Sequence, residues 1–259
     1  MRLHNLLQSN ALAGLRPAAA LLAGGLALAG CGAGHDADCL KSNGSVTTQR
    51  RAITRGLTDV VLYDNVDVTI VPDTATYAEV RAGENVLDDI TFEYQGAKRL
   101  VIHNTSRCNW VRSYSTPREV RLHLPYLRDV EQRGAGLVTT DGLFRQDTLF
   151  VHSSGTGDIN LNVNCVYLFI DIYDAGDMTL QGTAQDFHPN LGSNGFLFAS
   201  ALYTRYCYFR TYPSWIGDAH VRVNQNIGGV LDGTGTFYYA GNPTLIDPQG
   251  KNPGHLVKE

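Results

Sequence analysis

The sequence predicts an all-β protein, folded as a parallel β-helix-like solenoid with coils of about 20 residues. Three observations lead to this prediction. Val, Ile, Thr, Tyr and Phe are spread through short runs in which apolar and polar residues alternate, which is typical of strands. Long stretches with the apolar periodicity of a helix are missing. In the second half of the chain, a glycine-containing turn recurs at nearly constant intervals.

The first 30 residues have the features of an export signal. Arg2 and Arg16 give the start a positive charge, and an apolar stretch follows over residues 18–30. Its length is below the roughly 20 residues that span a bilayer, which favours a signal peptide over a membrane helix. The stretch ends in LAGC at residues 28–31, which resembles the lipobox of bacterial lipoproteins.

The lipobox resemblance implies that Cys31 is acylated and becomes the mature N-terminus. The expected membrane partner is then bound through this lipid anchor. Gly32 follows instead of Asp, which in Gram-negative bacteria implies transport to the outer membrane. The alternative is an ordinary secreted protein in which Cys31 is incidental. We expect a signal peptide at 1–30, an acylated cysteine and flexible polar tether at 31–50, and a solenoid head at 51–259.

The remaining cysteines and the charge limit the classes of function. In an exported protein, disulfides can form among Cys39, Cys108, Cys165 and Cys207, which allow three pairings that the sequence does not distinguish. Free buried thiols are the alternative for Cys165 and Cys207, which lie in apolar runs. No cysteine has metal-ligand spacing. The net charge is −4 with acidic and basic residues interspersed, so we expect no nucleic-acid partner.

The first half of the chain has clear strand patterns. In residues 58–72, Val66, Val68 and Ile70 alternate with polar residues. Residues 77–83, 90–104 and 118–127 continue this pattern. Within 90–104, Gly96 separates two strand-like runs and predicts the turn of a hairpin.

The second half repeats a turn followed by an alternating run. Successive turn glycines are 21, 19, 19, 22 and 18 residues apart, and they are Gly136, Gly157, Gly176, Gly195, Gly217 and Gly235. A single coil cannot bury its apolar side alone, but coils stacked about 4.8 Å apart pair their backbones and share a core. We expect these glycines to supply a positive φ at the corners. A β-sandwich is the alternative architecture, because turns about 8–12 residues apart also occur within the units.

Three acidic residues follow the turn glycines: Asp158, Asp177 and Asp218. Stacked coils would place them at related positions, where their oxygens could bind Ca²⁺. The alternative is turn chemistry, in which each carboxylate accepts a hydrogen bond from a nearby backbone N–H. No other cofactor is expected.

An aromatic and cationic cluster interrupts the regular repeat in residues 185–215. Tyr and Trp faces stack on sugar rings and also anchor protein interfaces, and Arg adds hydrogen bonds. The candidate ligand-binding residues are Tyr203, Arg205, Tyr206, Tyr208, Arg210, Tyr212 and Trp215. The alternative is a coil in which alternate aromatic residues belong to the core. The scattered histidines and the lack of a G-x-S-x-G sequence indicate no catalytic residues.

Three segments carry a resemblance to a known bacterial family. Residues 58–104 contain VDVTIV, GENVLDDI and GAKRLVI; residues 120–136 read VRLHLPYLRDVEQRGAG; residues 233–243 read GTGTFYYAGNP. In order and spacing they resemble the auto-transporter adhesin, head GIN domain, over roughly residues 51–245. The longer, more aromatic segment 185–215 departs from that family's usual repeat. The resemblance implies a parallel β-helix-like fold and a cell-envelope location, often as a lipoprotein, without enzyme activity.

Together these observations predict an outer-membrane lipoprotein whose non-catalytic head acts in adhesion or in binding a polysaccharide or an envelope protein. A carbohydrate-active, pectin-lyase-like β-helix enzyme is the alternative, and a periplasmic sensor or scaffold is a third. The enzyme requires at least two acids facing one cleft. The oligomeric state stays open, because free solenoid ends favour association whereas the Pro- and Gly-rich tail at 242–259 could cover one end.

Overall fold

The computed structural model describes residues 42–106 and 115–259. The expected signal peptide, Cys31, Cys39 and Cys108 lie outside the described residues. The strands are β1 Val46–Ala52, β2 Asp59–Leu62, β3 Asp67–Pro72, β4 Tyr77–Gly83, β5 Ile90–Gln95, β6 Arg99–Asn104, β7 Arg118–Leu124, β8 Asp129–Gln132, β9 Val138–Thr140, β10 Phe144–Ser153, β11 Ile159–Ile172, β12 Met178–Leu191, β13 Leu197–Thr211, β14 Ala219–Leu231, β15 Phe237–Ala240, β16 Leu245–Gln249 and β17 Leu256–Lys258.

Successive coils pair in parallel, which confirms the predicted solenoid. Ile159 of β11 pairs with Met178 of β12, Met178 pairs with Leu197 of β13, and Leu197 pairs with Ala219 of β14. The β-sandwich alternative is wrong, because its neighbouring strands would be antiparallel. Each repeat is mostly one long strand, since β11 to β14 have 13 to 15 residues each.

Each long strand bends in the middle and so forms two sides of the coil. In β11, side A is residues 159–165 after the glycine corner and side B is residues 167–172 before the next corner. At the bend, the neighbouring residues Val166 and Tyr167 both face outward, which breaks the strict alternation. The same pair of outward positions recurs in β13 at Arg205 and Tyr206. Side A and side B therefore enclose one core between them.

The core consists of columns of inward side chains that continue from coil to coil. One column on side B contains Leu168, Phe187, Cys207 and Ile227, each paired with the next and each at most 1% exposed. Burying each large apolar side chain contributes roughly 1.5–3 kcal/mol. No helix in the described part of the chain is long and apolar enough to cross a membrane.

The N-terminal part completes the solenoid with less regular strands. On side B, β2 pairs in parallel with β6 and β8; on side A, β3 pairs in parallel with β7 and β9. Strand β4 lies antiparallel between β7 and β1 and covers the end of side A. The predicted hairpin forms from β5 and β6, and Gly96 has a φ of 72° in its turn.

Both ends of the head differ in detail from the expected boundaries. Strand β1 begins at Val46, so the folded part reaches into the segment expected to be the tether, residues 31–50. At the other end, the tail extends the solenoid, because β16 pairs in parallel with β14 and β17 with β15. The tail is thus the last layer of the fold.

The corner glycines are required for a different reason from the one the sequence indicated. None of the six has a positive φ. Instead, the corners approach each other so closely that a side chain has no space. A Cβ on Gly195 would lie 2.5 Å from the carbonyl oxygen of Gly176, and one on Gly217 would lie 2.6 Å from that of Gly195. The glycines therefore permit backbone to stack directly on backbone.

This close approach predicts the effect of adding one methyl group. We expect Gly217→Ala to lower the free energy of unfolding by about 1–3 kcal/mol, because a rigid backbone atom must move to make space. The matched control is Gly254→Ala, since a Cβ on Gly254 has no atom within 4 Å. Urea unfolding followed by circular dichroism measures both variants. Equal stability of the two would contradict the explanation.

Candidate functional site

Strand β13 carries five of the seven predicted ligand-binding residues, and its bend divides them between the two sides. Tyr203 and Arg205 lie outward on side A and at the bend, and Tyr203 is 56% exposed. Tyr206, Tyr208 and Arg210 lie outward on side B. The cluster is therefore not one surface, although all five residues reach solvent.

The other two residues lie at the corner after β13. Trp215 is fully buried and packs edge-on against Phe237, with ring centroids 6.4 Å apart, so it belongs to the core and cannot contact a ligand at the surface. Tyr212 is half-buried, with its ring centroid 5.9 Å from that of Tyr173. Burial and a hydrogen bond with Tyr212 raise the pKa of Tyr173 to about 12.

An aromatic surface on side B extends well beyond β13. Its rings form an unbroken series of contacts, with neighbouring centroids 4.7 to 6.3 Å apart. We call this surface the aromatic ladder, and in order of contact its members are His152, Phe169, Phe150, Tyr167, His188, Tyr208 and Tyr206. Only Tyr208 and Tyr206 are among the ligand-binding residues predicted from the sequence. The others come from β10, β11 and β12, and only the register between coils shows that they are neighbours.

The aromatic ladder is accessible and ordered by the fold. It crosses four coils, which is three steps of about 4.8 Å, or roughly 14 Å along the stack. All seven rings are partly exposed, and Tyr208 is 43% exposed. Burial lowers the pKa of His188 against the opposing effect of Asp186, so this ring is neutral at pH 7. A row of aromatic faces on paired strands is a rigid surface for stacking against flat, partly apolar ligands.

The predicted calcium ligands have a structural role at the corners. Asp158 accepts a hydrogen bond from the backbone N–H of Asp177 at 3.0 Å, and Asp177 accepts one from that of Phe196 at 2.9 Å. Asp218 does the same for Thr236 at 3.2 Å. Each carboxylate thus accepts from the backbone of the next coil, and not from its own turn as the turn-chemistry alternative stated. Asp67, which the sequence analysis missed, accepts from Leu137 in the same way.

The three aspartates do not form one continuous row of carboxylates along the stack. Asp177 and Asp218 are separated by an intervening coil whose corresponding residue is Phe196. Within the described residues, no three His, Cys, Asp or Glu side chains are placed to hold a metal ion.

The start of the aromatic ladder is fixed by an ion-pair cluster. His152 lies between two carboxylates, with Nε2 3.8 Å from Asp129 and Nδ1 2.7 Å from Asp171. Asp129 and Asp171 raise the pKa of His152 to about 10, so the imidazole is protonated at neutral pH. The charged ring is held in place beside Phe169.

A polar groove lies at the first glycine corner. It is lined in part by Tyr63, Asp64, Asn104 and Arg133. Arg133 donates to the Tyr63 hydroxyl at 2.7 Å, and Asp64 accepts from the backbone N–H of Asn104 at 3.0 Å. Because Arg133 and Asp64 are each already hydrogen-bonded to another group of the protein, the aromatic ladder offers the better-prepared surface for a ligand.

The cysteines within the described residues do not form disulfides. Cys165 and Cys207 are free and buried, in agreement with the alternative stated for them. Burial raises the pKa of Cys165 to about 12 and raises that of Cys207 still further. Both residues are packing groups in the core, and neither is a reactive thiolate.

The fold and this surface define a class of protein: β-solenoid domains in which one side of parallel strands faces the surroundings. The chain belongs to the family described as "Putative auto-transporter adhesin, head GIN domain", whose model matches residues 56–243. The predicted family is thereby confirmed, and the match covers most of the described head.

Solved structures share the fold. A "putative adhesin" from Bacteroides fragilis aligns with a TM-score of 0.72 at 17% identity, covering 84% of this chain and 98% of that one. A "putative adhesin" from Parabacteroides distasonis aligns with a TM-score of 0.62 at 17% identity, covering 84% and 98%. A "putative lipid binding protein" from the same species aligns with a TM-score of 0.59 at 17% identity, covering 85% and 100%. No curated protein matches the chain significantly.

The His152 cluster predicts a pH dependence of stability. The folded state raises the pKa of His152 above its ordinary value of 6.5 to about 10. The stabilisation is therefore complete below pH 6.5, declines above it and is lost near pH 10. We expect His152→Gln to be less stable than wild type by about 1–3 kcal/mol at pH 6, and the difference to narrow as the pH approaches 10.

Urea unfolding at several pH values measures this difference. The control is His255→Gln, because Nδ1 of His255 contacts the carbonyl oxygen of Gly235 at 3.1 Å instead of a carboxylate. A difference between wild type and His152→Gln that stays constant from pH 6 to pH 10 would show that the cluster does not hold a proton.

Proposed function

We propose that this protein is a non-catalytic binding module of the cell envelope, held to the outer membrane through acylated Cys31, and that its aromatic ladder binds a carbohydrate polymer. The observation that carries this proposal is the unbroken series of seven rings, joined by six contacts, on side B. The family description as an adhesin domain supports an envelope role.

A polymer fits the shape of the surface better than a small ligand. The aromatic ladder is extended and runs across the strands, so its rings repeat with the rise of the coils. Sugar rings have apolar faces that stack on aromatic side chains, and a chain of sugars can use several such contacts at once. A protein partner would use the same exposed rings as anchors, so it is the second outcome of the test.

The arrangement of the acids supports binding over catalysis. A glycoside-cleaving site needs two carboxyl groups facing one substrate bond. Asp158, Asp177 and Asp218 each accept a backbone hydrogen bond from the next coil. Asp129 and Asp171 are paired with His152. The alternative, a polysaccharide-cleaving enzyme, is tested separately by measuring the release of reducing ends.

Removing two rings of the aromatic ladder tests the proposed function. We expect the double variant Tyr167→Ala with Tyr206→Ala to weaken binding to polysaccharides at least about tenfold, because two stacking contacts are lost. The control is Phe198→Ala, which removes a 43% exposed ring from side A. Glycan arrays identify the ligand, and calorimetry with the purified full-length chain measures its affinity.

Four results would count against this proposal. No glycan binding by wild type, or equal weakening by the side A control, would contradict a carbohydrate site on side B. Capture of an envelope protein through the same rings, without glycan binding, would replace the polymer by a protein partner. Release of reducing ends from polysaccharides would favour the enzyme.

The lipid anchor is tested through the cysteine itself. We expect wild type, expressed in a Gram-negative host, to be cut before Cys31 and to enter the detergent phase on Triton X-114 partition. Cys31→Ala should stay in the aqueous phase, because no thiol is available for acylation. Mass spectrometry of the N-terminal peptide identifies the modification, and an unacylated Cys31 in the exported wild type would contradict the anchor.

A further inference from the structure

The aromatic ladder ends at a notch where one side chain is missing. On side B, Tyr208 pairs with Gly228 of β14, and Gly228 pairs with Asp247 of β16. The column therefore reads Tyr, Gly, Asp along the stack. Gly228 has no side chain, and a Cβ there would lie only 2.8 Å from the carbonyl oxygen of Asp247 and 3.4 Å from its Cβ. Tyr208, Gly228 and Asp247 line one concave surface. The resulting notch encloses about 240 Å³.

The side chains around Gly228 come from its own strand and from the next coil. Along β14, the outward neighbours of Gly228 are Asn226 and Val230. In the last coil, Leu245 and Gln249 lie beside Asp247 at the corresponding register positions. The notch thus has the exposed ring of Tyr208 on one side, glycine backbone as its floor and amide and carboxylate groups at its rim.

This combination matches the chemistry of a sugar ring. A pyranose needs an aromatic face for its C–H groups and polar partners for its hydroxyl groups. Gln249 Nε2 donates to Asp247 Oδ2 at 3.4 Å. The amide of Asn226, the Gln249 carbonyl oxygen and the remaining lone pairs of the Asp247 carboxylate offer hydrogen bonds to hydroxyl groups. The volume is below the range of about 300–1,000 Å³ typical of drug-sized ligands, so it suits a single ring.

The charges around the notch determine which sugars fit. Among the described residues that line the notch, Asp247 is the one charged side chain. Arg210 pairs with Val230 but is not part of the lining, and its guanidinium lies over the Tyr212 ring at 5.9 Å. A uronic acid would place its carboxylate beside Asp247 without a compensating cation, which is unfavourable.

We infer that the notch at Gly228 is a subsite for one uncharged pyranose residue of a polysaccharide that continues along the aromatic ladder. The inference rests on the proposed function and adds its specificity: neutral polymers bind and uronate polymers do not. Tyr208 belongs to both surfaces and joins the notch to the aromatic ladder.

Removing the two amide side chains of the notch tests the subsite separately from the aromatic ladder. We expect Asn226→Ala and Gln249→Ala each to weaken binding of neutral oligosaccharides roughly fivefold, because hydrogen bonds to hydroxyl groups are lost. The matched controls are Asn160→Ala and Gln185→Ala, which remove the same side chains from exposed positions outside the notch. Calorimetry is run on the full-length chain with hexasaccharides of glucose, mannose and galactose, and with galacturonate and glucuronate oligomers.

The outcomes separate the two proposals. Neutral binding that is weakened by both notch variants, but not by the controls, supports the subsite. Binding that depends on Tyr167 and Tyr206 but is unchanged in both notch variants overturns the subsite and leaves the proposed function intact. Tighter binding of uronate oligomers also overturns the subsite alone. Absence of binding to every oligosaccharide by wild type overturns both proposals.

Asp247→Asn distinguishes the role of charge from that of shape. Neutralising the carboxylate should increase uronate binding, with neutral oligosaccharides changed by less. Unchanged discrimination against uronates would show that Asp247 does not set the specificity. Thermal unfolding of each variant is measured first, so that a loss of binding is read only from folded protein.

Discussion

The direct stacking of backbone on backbone at the glycine corners is the constraint on which the rest of the protein depends. At the corner of Gly217, the carbonyl oxygen of Gly195 takes the space that a Cβ would need. This close approach sets the distance between coils and keeps the side B columns in register from β10 to β14. The aromatic ladder exists because that register brings outward rings from four strands together.

The repeat of glycine and alternating residues was sufficient to predict the fold, because both features report directly on local structure. It was not sufficient to explain the glycines, since close approach between coils and a positive φ favour the same residue. The strand pattern also did not anticipate that β4 pairs antiparallel at the end of side A, because strand direction depends on contacts distant in sequence.

The site was only partly predictable for the same reason. Alternation along β13 could identify Tyr203 and Tyr208 as outward, but the bend at Arg205 and Tyr206 separates them onto two sides. Trp215 lies beyond the strand, where alternation gives no information, and the corner buries it. Phe150 and Tyr167 come from different coils, and their proximity follows only from the pairing of β10 with β11.

Strand β1 has a mechanical consequence for the whole domain. It is the first described strand, it pairs with β4 over seven residues, and the guanidinium of Arg51 donates to the carbonyl oxygens of Leu87 and Ile90. Tension transmitted from the preceding segment along the strand axis would load all seven pairs together in shear instead of peeling them one by one. A protein tethered on that side could thus resist pulling forces while the opposite end of the stack engages its surroundings.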